Sequence, residues 1–169
     1  MSELSGRIET LPDPAALAHH VAEWMTAAAL AAKGEFRVSL SGGSTPKALF
    51  TLLASDAFIG RFPWTRVSWY WGDERFVPYD HPESNYRMTR ETMLSRAPVP
   101  AGNIHPVPTD GTPDDAALRY ERTLQAAYGA AVLDPARPMF DITLLGLGPD
   151  GHTASITLPL SKMTSTGLW

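Results

Sequence analysis

The 169-residue chain has no cysteine, which excludes a disulfide framework, a thiol nucleophile and a thiolate metal site and agrees with a reducing compartment. Long apolar runs are missing as well, and none approaches the length needed to span a bilayer. From Met1 to Thr10 polar and apolar residues alternate without a basic segment leading into an apolar core, so no secretory signal is expected. Nor is there an excess of positive charge: 14 Lys and Arg against 18 Asp and Glu leave a net charge of −4. That balance argues against a protein built to coat nucleic acid, while leaving room for a local anion site. Internal repeats and low-complexity tracts are absent. So are a dinucleotide fingerprint, a nucleoside-triphosphate loop ending in Gly-Lys-Ser/Thr and a Gly-x-Ser-x-Gly elbow.

What remains is ordinary globular material. An apolar fraction of 44% with 19% charged residues suits one domain with a sizeable core, and 15 Pro with 13 Gly predict many punctuated connections rather than disorder. Asp13 to Ala32 carries Ala16, Leu17, His20, Val21, Trp24, Met25, Ala28 and Leu30 at helical spacing, with Gly34 as its stop. Phe36 to Leu40 reads as a strand, and helical spacing resumes from Lys47 to Ala54. Val67 to Trp71 is the next strand, followed by a helix around Tyr86 to Ser95 and a Pro-rich connector from Pro98 to Pro113. Asp114 to Tyr128 reads as a helix with Asp114 and Asp115 favouring its N-terminus, and Phe140 to Leu145 as the third strand. Strands alternating with helices imply an α/β fold with parallel crossovers, and ligands of such sheets gather at the carboxyl ends of the strands.

Three polar motifs fall at those ends. In Ser41-Gly42-Gly43-Ser44-Thr45-Pro46 two glycines and two hydroxyl residues open a helix, where backbone N–H groups and the helix dipole favour an anion. The alternative is a plain turn in which Ser44 or Thr45 caps the helix and Pro46 sits in its first turn. Asp73, Glu74 and Arg75 follow the second strand, with types suited to orienting a base or clamping an anion, or else to a solvated ion-pair cluster. His152 is the sharpest signal, because imidazole titrates near neutrality and Asp150 stands two residues away on a glycine-rich turn. Such a histidine activates water. It has no His-x-x-x-His partner for a metal. His19, His20 and His105 lack a comparable setting and read as structural or surface residues. Trp64, Trp69 and Trp71 read as packing rather than as a stacking platform for nucleic acid.

Taken together, Ser41 to Pro46, then Trp71-Gly72-Asp73-Glu74-Arg75-Phe76-Val77-Pro78 with Asp80-His81 and Ser84-Asn85-Tyr86, then Gly146-Leu147-Gly148-Pro149-Asp150-Gly151-His152-Thr153-Ala154-Ser155, resemble the glucosamine-6-phosphate isomerase/6-phosphogluconolactonase family on its lactonase side. The resemblance covers the chain to about Ser155. It implies an open, mostly parallel Rossmann-like sheet flanked by helices. It also implies a cytoplasmic enzyme without metal or other cofactor, whose partner is a small sugar-phosphate lactone rather than nucleic acid or membrane. The implied reaction is hydrolysis of 6-phospho-D-glucono-1,5-lactone to 6-phospho-D-gluconate in the oxidative pentose phosphate pathway.

Carried onto this sequence, His152 corresponds to the general base, with Asp150 or Asp73 orienting it or the water. Gly42, Gly43, Ser44 and Thr45 would cradle the phosphate, Arg75 would add positive charge, and Asn85 and Arg87 would be further polar contributors. Backbone N–H groups from Gly148 to Gly151 would meet the developing oxyanion. After Ser155 the family continues with a Phe-Pro-like segment and several dozen residues that include strands and phosphate-binding basic side chains. Ile156 to Trp169 matches none of it. The expectation is therefore a partial lactonase domain over 1–155 and an atypical tail over 156–169. A truncation or frameshift would leave the sheet incomplete, with exposed edges and apolar surface. Two rivals remain: a glucosamine-6-phosphate deaminase-like isomerase, whose acidic residue five positions beyond the His is Thr157 here, and a sugar-phosphate-binding module without catalysis.

Overall fold

The computed structural model describes residues 6–148 and Thr153. Asp150, Gly151, His152 and the tail from Ile156 to Trp169 lie outside the described residues.

Helix α1, Pro14–Ala31, begins where Asp13 accepts the Ala16 N–H at 2.8 Å and Pro14 occupies the first turn. It ends at Ala32, whose backbone is extended, two residues before the expected Gly34. Its buried stripe is Ala18, Ala22, Met25, Thr26 and Ala29, while Trp24 and Leu30 are exposed. Of the apolar residues at helical spacing, Met25 is buried and Val21 and Ala28 are partly so. A helix this rich in alanine is apolar nearly all round, so sequence spacing alone leaves its rotation open, and the small side chains decide it by letting α1 pack closely on its neighbour.

Strand β1, Phe36–Leu40, leads into helix α2, Ser44–Leu53, which starts three residues before the expected Lys47 because Pro46 is tolerated in a first turn. Strand β2, Val67–Trp71, is buried throughout. Helix α3, Asn85–Thr89, runs on into a wider π turn over Arg90–Leu94, closed by the Ser95 N–H donating to the Arg90 carbonyl at 3.0 Å. The expected Pro-rich connector holds a strand of its own, β3, Ile104–His105. A two-residue strand in a Pro-rich connector gives no periodicity to read. Asn103 anchors this stretch by donating to the carbonyls of Thr65 and Val67 at 3.2 and 3.1 Å. Helix α4, Pro113–Tyr128, is capped by Thr112 and closed by Gly129. The expected third strand is thus the fourth, β4, and it is confined to Ile142–Thr143.

All four strands are parallel in the order β3-β2-β1-β4. Alternation along β2 sorts the layers. Val67, Trp69 and Trp71 join the main core with Ala22 and Met25 of α1, Phe50 and Leu53 of α2 and Met93 of the π turn, whereas Tyr70 joins Tyr128, Leu124 and Met139 on the face covered by α4. The open parallel α/β expectation is met. Among the described residues no helix is long and apolar enough to cross a membrane.

Candidate functional site

Register places the motifs together. Leu40 pairs with Trp71, and Ser39 with Thr143, so β1, β2 and β4 end side by side and their loops leave at one rim. The chain passes from β1 to β2 on one side, and returns through β3 and α4 to β4 on the other. The rim therefore includes the crevice where the winding reverses, the usual ligand position in such sheets. A cleft of about 520 Å³ opens there, walled by Ser41–Pro46, Asp73–Arg75 and Gly146–Gly148.

The first wall is the N-terminus of α2. Its helical geometry leaves the Ser44 and Thr45 amides without carbonyl partners in the helix, and no described side chain caps this end. The capped-turn alternative is therefore not the arrangement adopted. Gly43 makes the turn at φ +108°, a backbone that side-chain-bearing residues rarely take, and its carbonyl receives the Lys47 N–H at 3.1 Å. Gly42 is required for a different reason. A Cβ there would lie 2.6 Å from Cγ of Asn85, whose carboxamide fills the space. The result is a run of exposed backbone donors at the positive end of a ten-residue helix.

The second wall is braced from behind. Glu74 lines the cleft, yet its carboxylate is bound to the start of α3. One carboxylate oxygen accepts the Asn85 N–H at 2.7 Å and the Arg75 N–H at 2.8 Å; the other accepts the Tyr86 N–H at 2.8 Å and the Ser84 hydroxyl at 3.2 Å. Ser84 in turn caps α3 through the Arg87 N–H. Asn85, buried, donates through Nδ2 to the Asp73 carbonyl at 3.1 Å and to its carboxylate at 3.4 Å. The loop after β2 is thus tied to α3 by a charge and an amide, which leaves Asp73 and Arg75 as the cleft-lining residues of that loop whose side chains are not spent on the start of α3. Sequence reading missed the role of Glu74. The available signal was Ser84 opening a helix ten residues after an acidic residue, which fixes a cap but not its partner in space.

The structure brings Gly42, Gly43, Ser44, Thr45, Asp73 and Arg75 onto one cleft, with Asn85 directly beneath. Arg87 stands apart. It binds Glu91 at 2.7 Å and the Asp80 carbonyl at 2.7 Å, and lines a neighbouring groove with Lys47 and Pro82. His19 packs edge-on against Phe58, His20 pairs with Glu9 at 2.8 Å, and His105 stacks on Tyr70. Among the described residues no group of three or more His, Asp or Glu is arranged to hold a metal ion. A cleft of this kind offers one anion seat, one cation and the half-buried carboxylates of Asp73 and Glu74, the second already engaged by α3.

Comparison with known proteins gives the same picture. Residues 12–161 match the family described as glucosamine-6-phosphate isomerases/6-phosphogluconolactonase. The chain is 42% identical over 154 residues to the 6-phosphogluconolactonase of Nostoc sp., covering 88% of this chain and 61% of that protein. Among solved structures, the devB protein superposes with a TM-score of 0.79 at 38% identity, over 88% of this chain and 61% of that one. The 6-phosphogluconolactonase of Thermotoga maritima superposes with a TM-score of 0.71 at 36% identity, over 86% and 62%. The chain thus spans about three-fifths of the length of these relatives.

Proposed function

The chain belongs to the glucosamine-6-phosphate isomerase/6-phosphogluconolactonase family, and from that premise we propose that it opens 6-phospho-D-glucono-1,5-lactone to 6-phospho-D-gluconate in the cytoplasm. The observation that carries this reading is the uncapped N-terminus of α2 facing Asp73 and Arg75 across the cleft. The phosphate sits on the Gly42 to Thr45 amides and hydroxyls, with Arg75 as its counter-charge. The lactone ring then extends toward the loop after β4, which runs on in sequence to Asp150 and His152.

His152 removes a proton from water as the water oxygen bonds to the lactone carbonyl carbon. Backbone N–H groups of the Gly148 to Gly151 turn hold the resulting oxyanion. When the intermediate collapses, the bond from that carbon to the ring oxygen breaks and the imidazolium returns its proton to the departing oxygen. Atoms and charge balance without any added group. Asp150 or Asp73 supplies the carboxylate that orients the imidazole or the water.

The test is the rate of lactone opening, with the spontaneous rate subtracted, for the chain and for His152→Ala. General-base loss is worth roughly 10²–10⁴ in rate, so the variant is expected to fall to background. Equal rates in both proteins, or turnover of glucosamine 6-phosphate in place of the lactone, overturns the proposal. Binding of 6-phosphogluconate without any hydrolysis reduces the chain to a sugar-phosphate-binding module.

A further inference from the structure

Strand β2 outlasts its neighbour. β3 pairs Ile104 with Trp69 and His105 with Tyr70, and the chain then meets Pro106, which has no N–H to continue the ladder. Gly72 donates to the Leu40 carbonyl at 2.9 Å, on the β1 side. By alternation, the peptide groups of Trp71 face the opposite side, where β3 has ended. A phenol takes the strand's place. Tyr120 of α4 accepts the Trp71 N–H at 2.9 Å and donates to the Trp71 carbonyl at 2.8 Å, reproducing both bonds of a ladder rung with one side-chain oxygen.

We propose that Tyr120 is a positioning residue for the candidate site: it closes the last rung of β2 and thereby sets where Gly72 and Asp73 leave the sheet. The inference rests on the functional reading above for its catalytic consequence, though not for its structural one. Three features support it. Burial pushes the Tyr120 phenol well above its ordinary pKa, so it keeps the proton that it donates. The helix carrying it is fixed at its start by the Thr112 cap, and Arg119 next to Tyr120 clasps the Asp110 carboxylate at 2.9 and 3.0 Å. Asn85, buried, holds Asp73 from the other side, while the half-buried Tyr120 holds Trp71 two residues before it, so the loop leaves the sheet between two fixed points.

The molecule contains its own control. Tyr128 on the same helix accepts the Asp134 N–H at 2.9 Å and donates to the Arg137 carbonyl at 2.8 Å, the same pair of hydrogen bonds made in the second core cluster to residues that do not line the cleft. Tyr120→Phe and Tyr128→Phe therefore remove equal chemistry from different places. Hydrogen exchange read on peptides across the full chain is expected to rise about tenfold over residues 71–75 in Tyr120→Phe, and over residues 128–137 in Tyr128→Phe, as the loss of a buried bond predicts. In lactone turnover Tyr120→Phe is expected to lower kcat about tenfold with little change in KM, the mark of a displaced reacting group, while Tyr128→Phe leaves kcat within about twofold. Unchanged exchange over 71–75, or equal losses of kcat in both variants, overturns the proposal. Should the parent chain turn over no lactone, the functional reading fails, and the exchange comparison by itself decides whether Tyr120 sets the loop.

Discussion

Glu74 stands next to two cleft residues yet spends its charge on a helix end, and removing that charge separates a structural brace from a catalytic group. In Glu74→Ala the amides of Asn85 and Tyr86 lose a carboxylate held at 2.7 and 2.8 Å, and the Arg75 amide and Ser84 hydroxyl lose a partner. Hydrogen bonds to charged groups contribute about 1.5–3 kcal/mol each when buried. Glu74 is only half-buried and water replaces part of what is removed, so the expected loss for the set is about 2 kcal/mol. Glu74→Gln keeps one carbonyl acceptor without the charge and should lose about half as much. For a chain of this size those losses correspond to roughly 4–8 °C and 2–4 °C in Tm. Urea unfolding followed by tryptophan fluorescence and far-ultraviolet circular dichroism gives the free energies directly. The reading further requires that 1 M NaCl restore little of the loss, because direct hydrogen bonds are not screened as distant charges are. A Glu74→Ala protein within about 0.5 kcal/mol of the parent, the range of ordinary surface substitutions, refutes the brace.

Two other perturbations follow from the same geometry. Gly42→Ala should destabilise by about 1–3 kcal/mol, as overpacking does, because the new methyl meets an Asn85 carboxamide already pinned to Asp73. Adding Asn85→Ala should recover much of that loss, and strictly additive free energies in the double-mutant cycle would show that the two residues do not touch. His105, stacked on Tyr70, is held below its ordinary pKa chiefly by burial. The unfolded chain therefore takes up the proton more readily, so stability is fully present above the unfolded histidine value near 6.5 and is lost as pH falls through the lower folded value. His105→Phe should flatten the fall in Tm between about pH 6.5 and 5, and an unchanged slope would assign the fall to other groups.

Much of this was legible in the chain itself. Phe36–Leu40 and Val67–Trp71 were found with the observed bounds, because five-residue β-rich runs ending in glycine-bearing loops carry a strong local signal. The Gly42 to Thr45 turn and the Asp73 to Arg75 loop were placed correctly at strand ends, since the alternation of strand and helix dictates that end. The rotation of α1 was not readable, because its alanines make several faces equally apolar. Nor was β3, whose two residues become a strand only because β2 offers an edge.

The residue types and their order alone determined the fold class, the family and the set of groups available for chemistry. Local sequence carries backbone preference and hydrophobic period, and both survive without knowledge of neighbours. Tertiary structure decided what each polar group is used for. Glu74 and Arg75 both line the cleft, yet the carboxylate of one is consumed by the amides of α3, while no side-chain partner among the described residues holds the other. Tyr120 and Trp71, 49 residues apart, meet because β3 stops short and leaves a peptide to be satisfied. A buried backbone N–H or C=O is costly to leave unpaired, and which partner it finds is set by the packing of elements that no local pattern describes.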